Sequence, residues 1–298
     1  MHRRSLVAAI ALPVLLHAAG PAPAAESYDN CTGFIDSVPA VISAKGTWCL
    51  RRNLATAMAS GAAIDIRTSN VVIDCNDFKI GGLAAGTATE TSGILARSLQ
   101  NIVVRQCTIR GFLRGIDIDG FGANHLVEDN RLEGNTGSAI HVSGEGSVVR
   151  GNLVYGTGGS PASAASGIET WFAVDVIGNT ISGVVPGPGE GPVHGILQHV
   201  NEGGTVAGNR IRGLAASAGG SYGIFSERGV RGSIRRNDLI GPATWAVHCS
   251  NASEMRSRGN LAYDFDNGIS GCVDDGSSVL CLDDGSTVEC VDDGVVAP

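Results

Sequence analysis

Charge and aromatic side chains are both scarce: 17% of residues are Asp, Glu, Lys or Arg, and 5% are Phe, Trp or Tyr. With 43% hydrophobic residues, that scarcity of charge excludes an intrinsically disordered chain, which needs the opposite balance. Few aromatics leave a thin aliphatic core. Proline is limited to 10 residues and the 43 glycines follow no every-third-residue period, so a collagen-type helix is excluded. No apolar run reaches the ~18 residues of a membrane-spanning helix. A basic surplus is missing too, with 21 Lys and Arg against 29 Asp and Glu. Nucleic acid, which wants a basic face, is therefore not an expected partner. A polyanionic glycan is disfavoured as well unless calcium or local arginines offset the repulsion.

What is present begins with a signal-like segment at residues 1–25. His2-Arg3-Arg4 is basic, Leu6 to Leu16 is a short apolar run, and Ala22-Pro23-Ala24 supplies small residues for cleavage. The expectation is a secreted or periplasmic protein. Eight cysteines fit such a compartment, and their even number points to disulfides. Sequence alone does not fix the pairing; the expected set is Cys31–Cys49, Cys75–Cys107, Cys249–Cys272 and Cys281–Cys290. No CxxC pair or Cys/His spacing supports a metal site instead.

An internal repeat organises the rest. Val127-Glu128-Asp129-Asn130-Arg131-Leu132-Glu133-Gly134 returns as Val149 to Gly156 around Asn152 and Val176 to Gly183 around Asn179. It comes again around Asn209 and Asn237, more weakly at Asn260, and with Cys107 in the asparagine's place. A second strand alternates with it: Gly115-Ile116, Ala139-Ile140, Gly167-Ile168, Gly195-Ile196, Gly223-Ile224. Units this short cannot bury their own apolar faces, but stacked coils bury a continuous aliphatic column. Successive asparagines would then lie about 4.8 Å apart and satisfy one another.

The Gly-Ile strand followed by a Val-x-x-Asn-x-Ile-x-Gly strand resembles the right-handed parallel β-helix repeat of the pectin-lyase-like superfold. Asn70 to Asn76, continuing to Gly82, resembles that superfold's first coil. The resemblance implies an all-β solenoid over residues 46–271, with an N-terminal cap at 26–45 and a small tail at 272–298. It is silent on activity, because the superfold hosts many chemistries. The signatures of pectin hydrolases, alginate epimerases and pectate lyases are absent, and Val193-His194-Gly195 is only a partial echo of one. The tail repeats Cys-x-Asp-Asp-Gly from Cys272, Cys281 and Cys290, a hairpin signal. A calcium site built from Asp274, Asp275, Asp283, Asp284, Asp292 and Asp293 is the alternative reading, although the calcium-binding Gly-Gly-x-Gly-x-Asp pattern is missing; otherwise no cofactor is expected.

With Ile116, Ile140, Ile168, Ile196 and Ile224 pointing inward, strand alternation sends Asp117, His141 and Glu169 outward in one stack. The imidazole would lie between two carboxylates on coils roughly 9.6 Å apart, near the upper limit for an inverting glycosidase. These three are the candidate catalytic residues. One column over, Asp119, Trp171, His199 and Glu227 are the candidate substrate-binding residues, Trp171 as a sugar platform. The residue between the two columns drifts from Ile118 and Val142 to Thr170, Gln198 and Ser226, which blurs the register. Three coils carry extra residues at one corner, around Ser160-Pro161, Pro186 to Gly189 and Gly219-Gly220, and should wall this face. His125 and His194 read as solvated turn residues. The expected function is binding of an extended carbohydrate or cell-surface glycan along the face, with hydrolase or lyase chemistry if there is any. The alternative is a non-catalytic periplasmic or surface accessory or adhesive protein whose stacked charges merely dress a solvated sheet.

Overall fold

The computed structural model describes residues 28–161, 164–199, 202–228, 231–250, 254–283 and 288–292. The signal-like segment lies outside them. Among the described residues the one helical turn is a 3-10 turn at Leu83–Ala85, and everything else regular is strand.

Each coil has three short strands, where the repeat called for at least two. In one coil these are Leu126–Glu128, Arg131–Glu133 and Ser138–Ser143. Each pairs in parallel with its counterpart a coil further on, as in Val127↔Val149, Leu132↔Val154 and Ile140↔Ile168. The chain is thus a parallel β-helix, as the repeat predicts. The Val-x-x-Asn-x-Ile-x-Gly unit, expected to be one strand, is bent into two just before its asparagine. There the backbone turns left-handed: φ is 52° to 65° at Gln106, Asp129, Gly151, Gly178, Gly208, Arg236 and Gly259. Left-handed backbone costs an L-residue, which explains glycine at four of those seven positions.

The asparagine that follows fastens each bend to the next. The N–H and Nδ2 of Asn152 both donate to Asn179 Oδ1 at 2.9 and 3.0 Å, and those of Asn179 donate to Asn209 Oδ1 at the same distances. The relay runs from the Cys107 N–H, which donates to Asn130, through Asn237 and Asn260 to Ser278. Every Nδ2 also satisfies a backbone carbonyl of the previous coil, such as Val149 O from Asn179 at 3.0 Å. The inward isoleucines, Ile116 to Ile224, are fully buried. Beside them Gly115 and Gly195 allow the coils to close up, since a Cβ there would lie 2.5–2.6 Å from the next coil's carbonyl oxygen.

Register holds through the stretch that had looked doubtful. Thr170, Gln198 and Ser226 occupy one inward column and are all fully buried. Thr170 Oγ1, both amide atoms of Gln198 and Ser226 Oγ find no hydrogen-bond partner there. The disulfides Cys31–Cys49, Cys75–Cys107 and Cys249–Cys272 form as expected, with Cα–Cα distances of 5.8, 4.7 and 5.2 Å. Cys281 is also disulfide-bonded and sits opposite Cys290 in an antiparallel hairpin, where the side chain of Cys290 lies outside the described residues. Val273–Asp274 still pairs in parallel with its counterpart one coil earlier, Met255–Arg258, so the coil's ladder runs into the tail.

Two substitutions separate the contributions of these buried polar groups. Asn179→Ala strips partners from Asn152 and from two carbonyls, and should lower unfolding free energy by about 3 kcal/mol in chemical denaturation. Thr170→Val removes an unpaired hydroxyl at nearly constant shape and should raise it by about 1 kcal/mol.

Candidate functional site

The strands Ser92–Arg97, Arg114–Asp119, Ser138–Ser143, Ala165–Trp171, Val193–His199 and Ser221–Glu227 form one face. Asp117, His141 and Glu169 share a column across it, and Trp171, His199 and Glu227 share another. The first column is not solvated: Asp117 is 2% and His141 3% exposed. Asp117 Oδ1 meets His141 Nδ1 at 2.9 Å, while its Oδ2 accepts from Ser92 Oγ at 2.9 Å and Arg114 stands 3.6 Å away.

Glu169 does not complete the expected carboxylate–imidazole–carboxylate row around His141. Its longer stem leans diagonally, a reach that sheet neighbours allow. It accepts from Ser138 Oγ at 2.6 Å and lies 3.5 Å from His199 Nε2. On the other side His199 Nδ1 meets Glu227 Oε2 at 2.8 Å. The imidazole held between two carboxylates is therefore His199, and the half-buried ring of Trp171 stacks on it at 4.2 Å and 21°. Asp119 stands apart, paired with Arg97 at 3.1 Å.

Two hollows open on this face. One, of about 430 Å³, is lined by Arg114, Glu169, His194, His199, Tyr222, Phe225 and Glu227 among others. The other, of about 410 Å³, is lined by Glu90, Ser92, Arg97, Arg114 and Asp117 among others. Arg114 borders both. Ala164, Pro192 and Gly219 wall the first, and Ser160-Pro161 the second, so the long corners do flank the face.

Protonation follows from these contacts. Burial raises the Asp117 carboxyl, but the His141 bond and the Arg114 charge outweigh it and hold the group below the usual range. Burial likewise raises Glu169, yet bonds to His199 and Ser138 and the charge of His141 bring it down to about 2. For His199 burial lowers the value and the two flanking carboxylates raise it further, leaving it above 6.5. Asp117 and Glu169 are thus pushed toward the ionised form and His199 toward the protonated form.

Arg114, His194 and Tyr222 escaped sequence reasoning, whereas Phe225 stands where strand alternation puts it, in the outward column of Asp117, His141 and Glu169. His194 is no solvated turn residue; it lies in a strand, 4% exposed, 5.4 and 5.5 Å from the rings of Tyr222 and Phe225. Arg114, His194 and Tyr222 fall in a column three residues before the Asp117 column, with Ser92, Ser138 and Ser166. Reading the sequence at that offset as well as at the alternating one would have found them. His125 is buried too, at 2% exposure, and its Nδ1 accepts from the Ile102 N–H at 3.3 Å. Of the tail aspartates proposed for calcium, Asp275 pairs with Arg258 at 3.1 Å. The side chains of Asp274, Asp283, Asp284, Asp292 and Asp293 lie outside the described residues. Among the described residues no three His, Cys, Asp or Glu side chains converge as metal donors.

Burial holds His125 and His194 at about 4, against 6.5 in the unfolded chain. A base whose folded value is depressed gives stability that is present above 6.5 and is lost as pH falls toward 4. His199, raised, works the other way, losing its contribution as pH climbs through its folded value. Unfolding free energy should therefore decline from pH 6.5 to 4, with Glu169 adding loss from 4.5 to about 2. In denaturant titrations across that range, His194→Phe should flatten the upper limb; an unchanged limb would contradict the buried neutral imidazole.

A family model described as a right handed beta helix region matches residues 34–183. No curated protein matches the chain. Among solved structures it is similar to the Dettilon tailspike protein, at 15% identity and a TM-score of 0.45, covering 82% of this chain and 56% of that one. It is also similar to a DFA-IIIase from Arthrobacter chlorophenolicus A6, crystallised without its lid in complex with GF2, at 12% and 0.35, covering 90% and 71%. The Agl-KA catalytic domain is a third, at 10% and 0.35, covering 82% and 58%. The chain spans less than two thirds of the tailspike and Agl-KA chains, and at these identities the likeness is one of fold.

Proposed function

The chain belongs to the right-handed β-helix family, and on that premise we propose that it is an exported protein that binds an extended carbohydrate along the face bearing Asp117, His141, Glu169 and His199. One observation carries this reading: in the larger hollow the rings of His194, Tyr222 and Phe225 meet the polar ends of Glu169, His199 and Glu227. Sugars ask for that combination, apolar aromatic surface for their C–H groups and fixed acceptors for their hydroxyls. The rings of His194 and Tyr222 stack on one another 17° from parallel and those of Phe225 and His248 at 5°, so an apolar aromatic ladder runs along the face. Trp171, braced on His199, and Asp119, further along the same column, would border the bound chain. Three disulfides support export, because such bonds persist in oxidising compartments.

A second reading, glycoside hydrolysis, rests on His199. It lies between two carboxylates that favour its protonated form, which is what a general acid needs, with the Glu169 carboxyl, held low, nearby as base or nucleophile. Asp117 and His141 would then support Glu169 from behind instead of acting on substrate.

Affinity electrophoresis against a polysaccharide panel tests the first reading. Tyr222→Ala with Phe225→Ala should weaken retention about tenfold, or 1.4 kcal/mol, while circular dichroism stays that of a β-helix. Absence of retention by every polysaccharide would sink it. For the second, reducing-end release that is abolished by His199→Gln is the expected signature, and intact polymer after long incubation removes it.

A further inference from the structure

We infer that the ligand is an electrically neutral polysaccharide that bridges both hollows, lying along the stacking axis over several sugar rings. The inference rests on the carbohydrate-binding reading and specifies its substrate class. Its first support is the charge inventory of the face. Asp117 is met by His141 at 2.9 Å and Arg114 at 3.6 Å, and Glu169 by His199 at 3.5 Å. Glu227 is met by His199 at 2.8 Å and Arg228 at 3.9 Å, and Arg97 by Asp119 at 3.1 Å. Each cation that borders the hollows is already engaged by a carboxylate. A uronate or sulfate would have to displace one of these contacts, against the excess of 29 acidic over 21 basic residues in the chain. An amino sugar would find carboxylates that are likewise engaged. Glu90, at the outer end of the smaller hollow, is the exception, with no ion-pair partner among the described residues. What the face leaves available is the remaining hydrogen-bonding capacity of fixed, balanced groups together with aromatic planes. That suits hydroxyl groups.

The second support is length and direction. Ser92, Arg114, Ser138, Ser166, His194 and Tyr222 succeed one another in register, five coil steps. At about 4.8 Å a step they span about 24 Å, room for several rings in line and far more than one. Arg114 borders both hollows, and the strand Ser138–Ser143, with Ser138, His141 and Ser143 all buried, pairs between the strands of Arg114 and Glu169. A chain filling one hollow is thereby led into the other.

Titration calorimetry on the full chain tests class and length separately. The probes are a soluble neutral glucan, galactomannan and arabinoxylan, then polygalacturonate, then chitosan oligomers. At least one neutral polymer should bind, with affinity unchanged within twofold between low and high salt. Its oligosaccharides should bind more tightly with each added ring until both hollows are filled. Glu227→Gln, which removes one of the two carboxylates on His199, should create salt-sensitive polygalacturonate binding that the natural chain lacks. Salt-sensitive binding of polygalacturonate or chitosan by the natural chain, in preference to every neutral polymer, would overturn the neutral class but leave carbohydrate binding standing. Affinity already maximal with a single ring pair would overturn the bridging. No binding by any probe would overturn the carbohydrate reading, and this inference with it.

Discussion

Vertical neighbourhood in this molecule is enforced by the asparagine relay. At each bend a left-handed residue turns the strand, and the following asparagine closes that bend onto the one above with two bonds to a single oxygen. The relay is buried, where an amide that slipped by one coil position would leave donors and acceptors unpaired at a cost of about 1–3 kcal/mol each. Register is therefore discrete: a coil is seated or it is not. This lets residues some two dozen positions apart, such as Asp117 and His141, meet at 2.9 Å without any local sequence motif holding them together.

That constraint also explains why the charged face differs from an ordinary sheet surface. On a solvated sheet, opposite charges on adjacent strands contribute well under about 1 kcal/mol and move freely. Here Asp117 and His141 are almost completely buried, so neither can be left alone without a heavy desolvation cost. Geometry then sets the direction of each shift: despite burial, the His141 bond, the Arg114 charge and the Ser92 hydroxyl hold the Asp117 carboxyl below its usual range, and the carboxylates of Glu169 and Glu227 raise His199. A face fixed in this way offers a ligand prearranged dipoles, with little reorganisation left to perform on binding.

Much of the fold was legible because its cause is periodic. The Asn130 to Asn260 column and the inward Ile116 to Ile224 row follow from recurrence along the chain, and the three disulfides join the cysteines expected to pair, although sequence alone left that pairing open. The register placing Asp117 beside His141, and His199 beside Glu227, came from the same counting. Other features were invisible for separate physical reasons. The third strand per coil depends on one left-handed dihedral, which Asp129 and Arg236 adopt as well as glycine does. The lean of Glu169 toward His199 depends on side-chain length, not on column membership. His194 and Tyr222 project onto the face three positions before the alternating column, so a period-two reading assigns them elsewhere.

The drift from Ile118 and Val142 to Thr170, Gln198 and Ser226 first looked like a failing register, and it now has a different meaning. Those three polar residues point inward, directly behind Glu169 and Trp171, behind His199, and behind Phe225 and Glu227. Where the outer face is most densely ionised and aromatic, the inner face gives up aliphatic contact and tolerates unpaired polar atoms. A core selected for stability alone would have continued the isoleucine row. Strands spanning the larger hollow thus combine the tightest outer network with the least satisfied interior, the pattern expected where stability yields to a binding surface. The coils on either side, with apolar interiors and the relay intact, hold that weaker stretch in place.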